Sequence, residues 1–379
     1  MKPLHTIKLS FLPRHDEMGG GKELRDGLSV ALQVGNTLWV ANDESTSLER
    51  LVLGEGRTSG KWREAGQHRQ FALADYLRLP EPGKGADVGE VDIEGLAHAQ
   101  GYMWLVGSHS LKRKKPAQDE AAGSGHKLLA EISVDGNRYL LARIPLVEEE
   151  GSWTLRKKTT QRGRQRTAAQ LKGNAKGNAL TQALKRDKHL GAFLAVPGKD
   201  NGFDIEGLAV VGKRLFLGLR GPVLNGWAVI VEIEPELRSG STAELQLKPI
   251  GRKKRLYRKH FLQLGGLGIR DLCMQGKDML ILAGPTMVLD GPVSVFRWPD
   301  AGSAKGEQLL GAEELPKILD LPYGQGVDHP EGMSLLSPPG GGANGLVVVY
   351  DAASTSRQPG QSAMWADVFT LPKPSSRAR

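Results

Sequence analysis

The chain has 379 residues, 39% of them hydrophobic and 25% charged, with a formal net charge of +9. That is enough chain to bury a large core, and the composition excludes a disordered or collagen-like protein. The single Cys273 excludes an internal disulfide and a cysteine-based zinc site, and it fits a reducing compartment.

The N-terminal run MKPLHTIKLSFLPRHDEMGG has no apolar signal core, and no run in the chain approaches 18 apolar residues. A cytoplasmic, bacterial-type protein without a membrane partner is the expectation. Within that run, HTIKLSFL reads as a strand that could pair with MWADVFTL near the C-terminus.

From Asp26 onward one outline recurs five times. It is an acidic residue, usually Gly, a short apolar strand, a Gly-containing turn and a second apolar strand. The five copies are DGLSVALQVGNTLWVANDES from Asp26, EGLAHAQGYMWLVGSHS from Glu94, EGLAVVGKRLFLGLRG from Glu206, DLCMQGKDMLILAGPT from Asp271 and EGMSLLSPPGGGANGLVVVYDA from Glu331. Each reads as a β-hairpin. Further apolar runs follow several of them: KLLAEISV and RYLLARIPL after the second, WAVIVEIE after the third and VSVFRW after the fourth. Repeats of this kind predict small antiparallel sheets packed radially, an all-β fold of the β-propeller type. The 49 glycines and 21 prolines suit such a fold, with its many tight turns.

Five blades in a single domain over 1–379 is the favoured count. The interval from Glu94 to Glu206 is the longest between copies and leaves six as the alternative. Within it, 150–195 reads as a basic insertion, helical around 160–190, because its Ala, Leu, Gln and Lys show no strand alternation. Two basic blocks stand out, RKKTTQRGRQR at 156–166 and RKKRLYRK at 252–259. Either could meet a nucleic acid, although few aromatic residues lie beside them in sequence to stack on bases. The bland alternative is a pair of solvated loops. Gly207 to Lys213 resembles a phosphate loop but continues with Arg214 and lies across a hairpin, which excludes that reading.

If every acidic residue opens the inner strand of its blade, Asp26, Glu94, Glu206, Asp271 and Glu331 ring one end of the central channel. Like charges so close must be protonated, paired with cations or bound to metal. Hard oxygen ligands with no cysteine point to Ca²⁺, with Mg²⁺ or no metal as alternatives. Arg220, at the far end of the third hairpin, could hold an anionic ligand, and His109 or His329 could move a proton. These residues suggest a metal-dependent hydrolase of a small anionic ester, a phosphoester or lactone. The competing reading is a non-enzymatic propeller that binds a ligand or protein, in which the acids only cap turns. Oligomeric state is open.

The runs SLERL (47–51), DIEGLA (92–97), NGFDIEGLAV (201–210), GLRGPVLNGWAV (218–229), GLGIRDL (266–272) and LAGPT (282–286) resemble a bacterial family known as domain of unknown function 3616. That resemblance implies a β-propeller and carries no activity. A looser one is to calcium-binding propellers of the regucalcin and gluconolactonase, strictosidine-synthase-like and phytase-like groups. Glu94, Glu206 and Glu331 match their Glu-Gly element, and Asp271, followed by Leu272, departs from it.

Overall fold

A computed structural model describes residues 2–55, 60–83, 89–117, 121–161, 163–339 and 345–372. All five predicted hairpins form. Their inner and second strands are Leu28–Val34 with Thr37–Asn42, Ile93–Ala99 with Tyr102–Gly107, Asp204–Val211 with Arg214–Gly221, Gly268–Gln275 with Asp278–Gly284, and His329–Leu336 with Gly345–Asp351. Part of the long fifth turn, 340–344, lies outside the described residues.

Each hairpin extends outward into an antiparallel sheet. The first adds Ser47–Gly54 and Glu64–Ala72, the second Leu141–Glu149 and Ala169–Leu171, the third Trp227–Ile233 and Arg258–Gln263, and the fourth Val293–Trp298 and Lys317–Leu321. The fifth adds Ala363–Thr370 and then His5–Ser10, which runs antiparallel to it with His5 opposite Val368 and Ser10 opposite Ala363. The expected pairing of the two chain ends therefore forms. Lys8 and Leu9 also pair in parallel with Glu64 and Ala65 of the first sheet.

The five inner strands pack in sequence around a ring, the fifth returning to the first. Apolar clusters fill the spaces between neighbouring sheets. One, for example, joins Trp39 and Leu48 of the first sheet to Ile93, Met103 and Leu105 of the second. The fold is predominantly β and propeller-like.

Close approach explains the Gly of the Glu-Gly dipeptide. A Cβ on Gly95 would lie 2.5 Å from the Leu208 Cβ, and one on Gly332 would lie 2.7 Å from the Val30 Cα. In both cases the obstacle belongs to the next inner strand, so glycine lets successive sheets meet closely at the axis. Gly332→Ala should therefore cost about 1–3 kcal/mol of stability through overpacking, read as a lower urea midpoint. An unchanged midpoint would mean that the fifth sheet can move away from the first at no cost.

The helical excursion expected around 160–190 is largely replaced by strands. Lys158–Gln161 and Arg164–Thr167 form a hairpin, and Ala169–Leu171 is the fourth strand of the second sheet. Helix is confined to Ala179–Leu184, capped by Asn178, whose side chain accepts from the Leu180 and Thr181 backbone N–H groups. The glycines at 173 and 177 break the helical composition upstream. Conversely KLLAEISV, read as a strand, divides between a helix (Ala122–Ala130) and the short strand Ile132–Ser133, which pairs with Lys112–Arg113. Leu129 and Ile132 are exposed, so that run is not core. No helix among the described residues is long and apolar enough to cross a membrane.

Candidate functional site

Every inner hairpin carries a β-bulge near its start, and the bulges fix which residues are equivalent. The register slips between Leu28 and Val30, Ile93 and Gly95, Ile205 and Gly207, Ile269 and Asp271, and Pro330 and Gly332. The extra residue at each slip is Ser29, Glu94, Glu206, Arg270 and Glu331. A bulge re-aims one side chain, here at the start of each inner strand, so these five form the true repeat position.

Asp26 and Asp271 are thus out of register with the glutamates. Asp26 sits in a half-buried turn and accepts from Gln358 Nε2 at 2.7 Å, away from the ring. Its counterpart Ser29 donates to the Ile93 carbonyl of the second sheet at 2.7 Å. Asp271 stands where the three glutamate repeats have glycine. Its buried carboxyl accepts the Leu272 and Met333 backbone N–H groups, each at 2.7 Å, and so ties the fourth sheet to the fifth. Burial raises its pKa well above the usual carboxylate range.

Glu94, Glu206 and Glu331 do converge, with Arg270 between two of them. Arg270 Nη1 lies 3.0 Å from Glu206 Oε2 and 2.6 Å from Glu331 Oε1, bridging the third and fifth sheets from the fourth. Arg220 binds Glu206 Oε1 at 2.7 Å and also pairs with Asp204. The guanidinium expected to hold an anion is therefore already paired with two acids of its own hairpin. Arg138 makes a third such knot, 2.9 Å from Asp92 Oδ2 and paired with Glu90.

Around these pairs lies a cavity of about 410 Å³ lined by Asp43, Glu94, Glu206, Arg220, Glu331 and Asp351. Acids outnumber guanidinium groups there, and several carboxyls are pushed towards the neutral acid. Burial, then Glu206, Asp92 and Glu331, pushes the Glu94 carboxyl well above its ordinary range. Glu94 is 8% exposed, faces the cavity, and makes no hydrogen bond or ion pair among the described residues. Asp43 is raised well above its ordinary value by burial and by Asp92 and Asp351. Glu331 is pushed up to about 8, because burial and the Asp351 charge outweigh the attraction of Arg270.

The outer lip is basic. Lys112 to Lys115 and Lys199 line it, beside Leu129 of the helix that follows the second hairpin. Lys112 is paired with Glu90 and Lys114 with Glu131, while Lys115 and Lys199 make no ion pair among the described residues. Residue order hides this lip, because helix 122–130 is inserted after it. Glu90 was legible in the alternation of Glu90, Asp92 and Glu94 along one extended run. Nothing in RYLLARIPL marks Arg138.

The two histidines part company. His109 is buried with φ of 58°, its Nδ1 2.7 Å from the Gly107 carbonyl and its Nε2 2.7 Å from Asn178 Nδ2. Nδ1–H donates to the carbonyl and Nε2 accepts from the amide, which fixes a neutral ring, and burial lowers its pKa to about 4. Because Asn178 caps helix 179–184, His109 anchors the excursion and does not face the cavity. His329 stays on the rim, 3.1 Å from Asp290 Oδ1 and 3.9 Å from Asp351 Oδ2, with its pKa raised chiefly by Asp351.

Calcium needs 6 to 8 converging oxygens. Among the described residues no three His, Cys, Asp or Glu side chains come together in a way that could hold a metal ion. Guanidinium groups already lie between the glutamates. The residues as arranged do not fit a divalent ion.

Residues 27–367 match the model of the family described as "Protein of unknown function (DUF3616)". The chain belongs to this family. No curated protein matches its sequence. Among solved structures, similarity is found to the hydrazine synthase of Kuenenia stuttgartiensis at 11% identity and TM-score 0.31, covering 88% of this chain and 58% of that one. The chain thus spans little more than half of that protein. Glutaminyl cyclase of Myxococcus xanthus matches at 10% identity and TM-score 0.36, covering 98% of this chain and all of that one. The PQQ-bound aldose sugar dehydrogenase of Streptomyces coelicolor matches at 11% and 0.36, covering 97% of each chain. None of these activities is carried over to this family member.

Proposed function

We propose that this chain is a five-bladed propeller whose channel mouth binds a small anionic ester, a phosphoester or lactone, and hydrolyses it by carboxyl acid–base chemistry. One observation carries the reading: Glu94 is a buried, unpartnered carboxyl that faces a cavity, and burial pushes it towards its protonated form. A carboxylic acid biased towards its neutral form is a proton donor matched to a leaving alkoxide.

Lys115 and Lys199 would hold the anionic group at the lip. Water would attack the carbonyl carbon or phosphorus, giving its proton to Asp351 with His329 behind it. Glu94 would pass its own proton to the departing oxygen, so the bond to that oxygen breaks as the bond to water forms.

The binding-scaffold reading is favoured by a different observation, the way Arg270 joins Glu206 to Glu331 across three sheets. Assays with 4-nitrophenyl phosphate and a six-membered lactone, with and without EDTA, separate the two. The hydrolase reading expects turnover indifferent to EDTA and lowered by about 10²- to 10⁴-fold in Glu94→Gln, with the fold intact. No turnover on either substrate class, or full turnover by Glu94→Gln, sinks it.

A further inference from the structure

The basic block at 252–259 has few aromatic neighbours in sequence, yet the fold supplies them from elsewhere. A second cavity, of about 620 Å³, lies on the outer flank of the third sheet and shares no lining residue with the channel mouth. Trp227 opens the third strand of that sheet, Phe261 lies on the fourth, and His189 arrives from the excursion after the second sheet. The His189 and Phe261 rings meet edge to face with centroids 5.1 Å apart. Leu224 and Leu309 complete the apolar wall, the latter 67% exposed.

The polar groups of this cavity are built in. Lys259, only 3% exposed, holds its ammonium against both Asp187 oxygens at 2.7 and 2.6 Å and against His189 Nδ1 at 2.7 Å. That network fixes the His189 ring in the wall. Arg255 reaches the rim, 3.0 Å from the partly exposed Glu307.

Immediately before it, Arg252, Lys253 and Lys254 form an exposed turn, and none of the three makes an ion pair among the described residues. Lys253 and Lys254 have φ of 53° and 63°. Two consecutive lysines in the left-handed region are strained, and such strain is concentrated where function holds it.

Flat aromatic walls beside a cluster of uncompensated cations are complementary to one chemistry: a planar base carrying phosphate. We infer that this flank is a nucleotide-binding site, the base lodging against Trp227 and Phe261 and the phosphate meeting Arg255 and the 252–254 turn. The pocket is of a size that takes small molecules. The same chemistry is presented by a free nucleotide and by a single-stranded nucleic acid, and the test separates them. The site shares no residue with the channel mouth, so Glu94→Gln leaves it unchanged and its fate is independent of the hydrolase reading.

The probes are AMP, titrated by calorimetry, and a fluorescein-labelled oligoadenylate RNA, followed by anisotropy on the full chain. Binding of either, weakened about tenfold by Trp227→Ala, supports the inference, because base stacking contributes on that scale. Lys253→Ala with Lys254→Ala should flatten the oligonucleotide's log–log salt slope by about 1.4, roughly 0.7 for each phosphate no longer neutralised. AMP binding as tightly as the RNA identifies a free nucleotide as the source, and tighter, salt-steep RNA binding identifies a strand. Should Trp227→Ala disturb the sheet, Arg255→Ala at the rim decides alone. Failure of both probes to bind wild type at about 50 mM salt overturns the inference. So does wild-type affinity in the folded Trp227→Ala and Arg255→Ala variants.

Discussion

Arg270→Met should destabilise the protein by about 3–5 kcal/mol at pH 8, the scale of stripping one partner from a buried ion pair. Among the described residues its guanidinium is the only cation that touches both Glu206 and Glu331, and all three side chains are largely buried. Methionine would preserve much of the volume and remove the charge, so the loss would report electrostatics more than packing. The remaining acids can be rescued by protons, and the deficit should therefore shrink as the buffer is taken towards pH 5. Urea denaturation of both proteins at the two pH values measures this. A variant as stable as wild type at pH 8 would show that Arg220 alone neutralises the ring.

The second large effect is in the wild-type protein itself, which should be more stable near pH 5 than near pH 8. Glu331 has its folded pKa raised to about 8 from an ordinary value of 4.5. A raised acid contributes stability that is fully present below its unfolded pKa and is lost as pH rises through the folded one. The window runs from about 4.5 to 8, and the change is on the order of 5 kcal/mol for this one group. Glu94 and Asp43 are shifted in the same direction and add to the slope.

Asp187 opposes at the acid end. Lys259 and Tyr257 outweigh burial and lower it to about 2, so its stability is present above about 4 and lost as pH falls towards 2. A maximum near pH 5 follows. Glu331→Gln should remove much of the decline between pH 5 and 8 in a series of thermal melts. A wild-type melting temperature that rises steadily to pH 8 would contradict the protonated ring.

The hairpins were legible because each pairs two apolar strands around a glycine turn, a signal that does not depend on neighbouring sheets. The ring was legible only in part. An acid before an apolar strand occurs at Asp26 and Asp271 as well as at the three glutamates, but which residue projects is decided by the bulge, a backbone event with no residue signature of its own. Comparing IEGL at 205–208 with IRDL at 269–272 recovers it, since Arg270 then falls under Glu206 and Asp271 under Gly207.

His109 was misleading for a similar reason. Its place at a strand end suggested the rim, while its left-handed backbone turns the ring towards Asn178. The aromatic flank was invisible in sequence because Trp227, Phe261 and His189 come from three separate segments. The helix at 122–130 was missed because a short apolar run looks alike in a strand and in a helix.

The strand His5–Ser10 finds its place only between Ala363–Thr370 and the edge of the first sheet. During synthesis it leaves the ribosome long before its main partner, Ala363–Thr370. Four sheets can assemble as they emerge, but the ring cannot close until Ala363–Thr370 arrives. Until then the outer edge of Glu64–Ala72 stays open to other strands. A clasp of this kind makes the emergence of Ala363–Thr370 the event that commits the molecule, and a chain interrupted before it carries a sticky edge that is otherwise hidden.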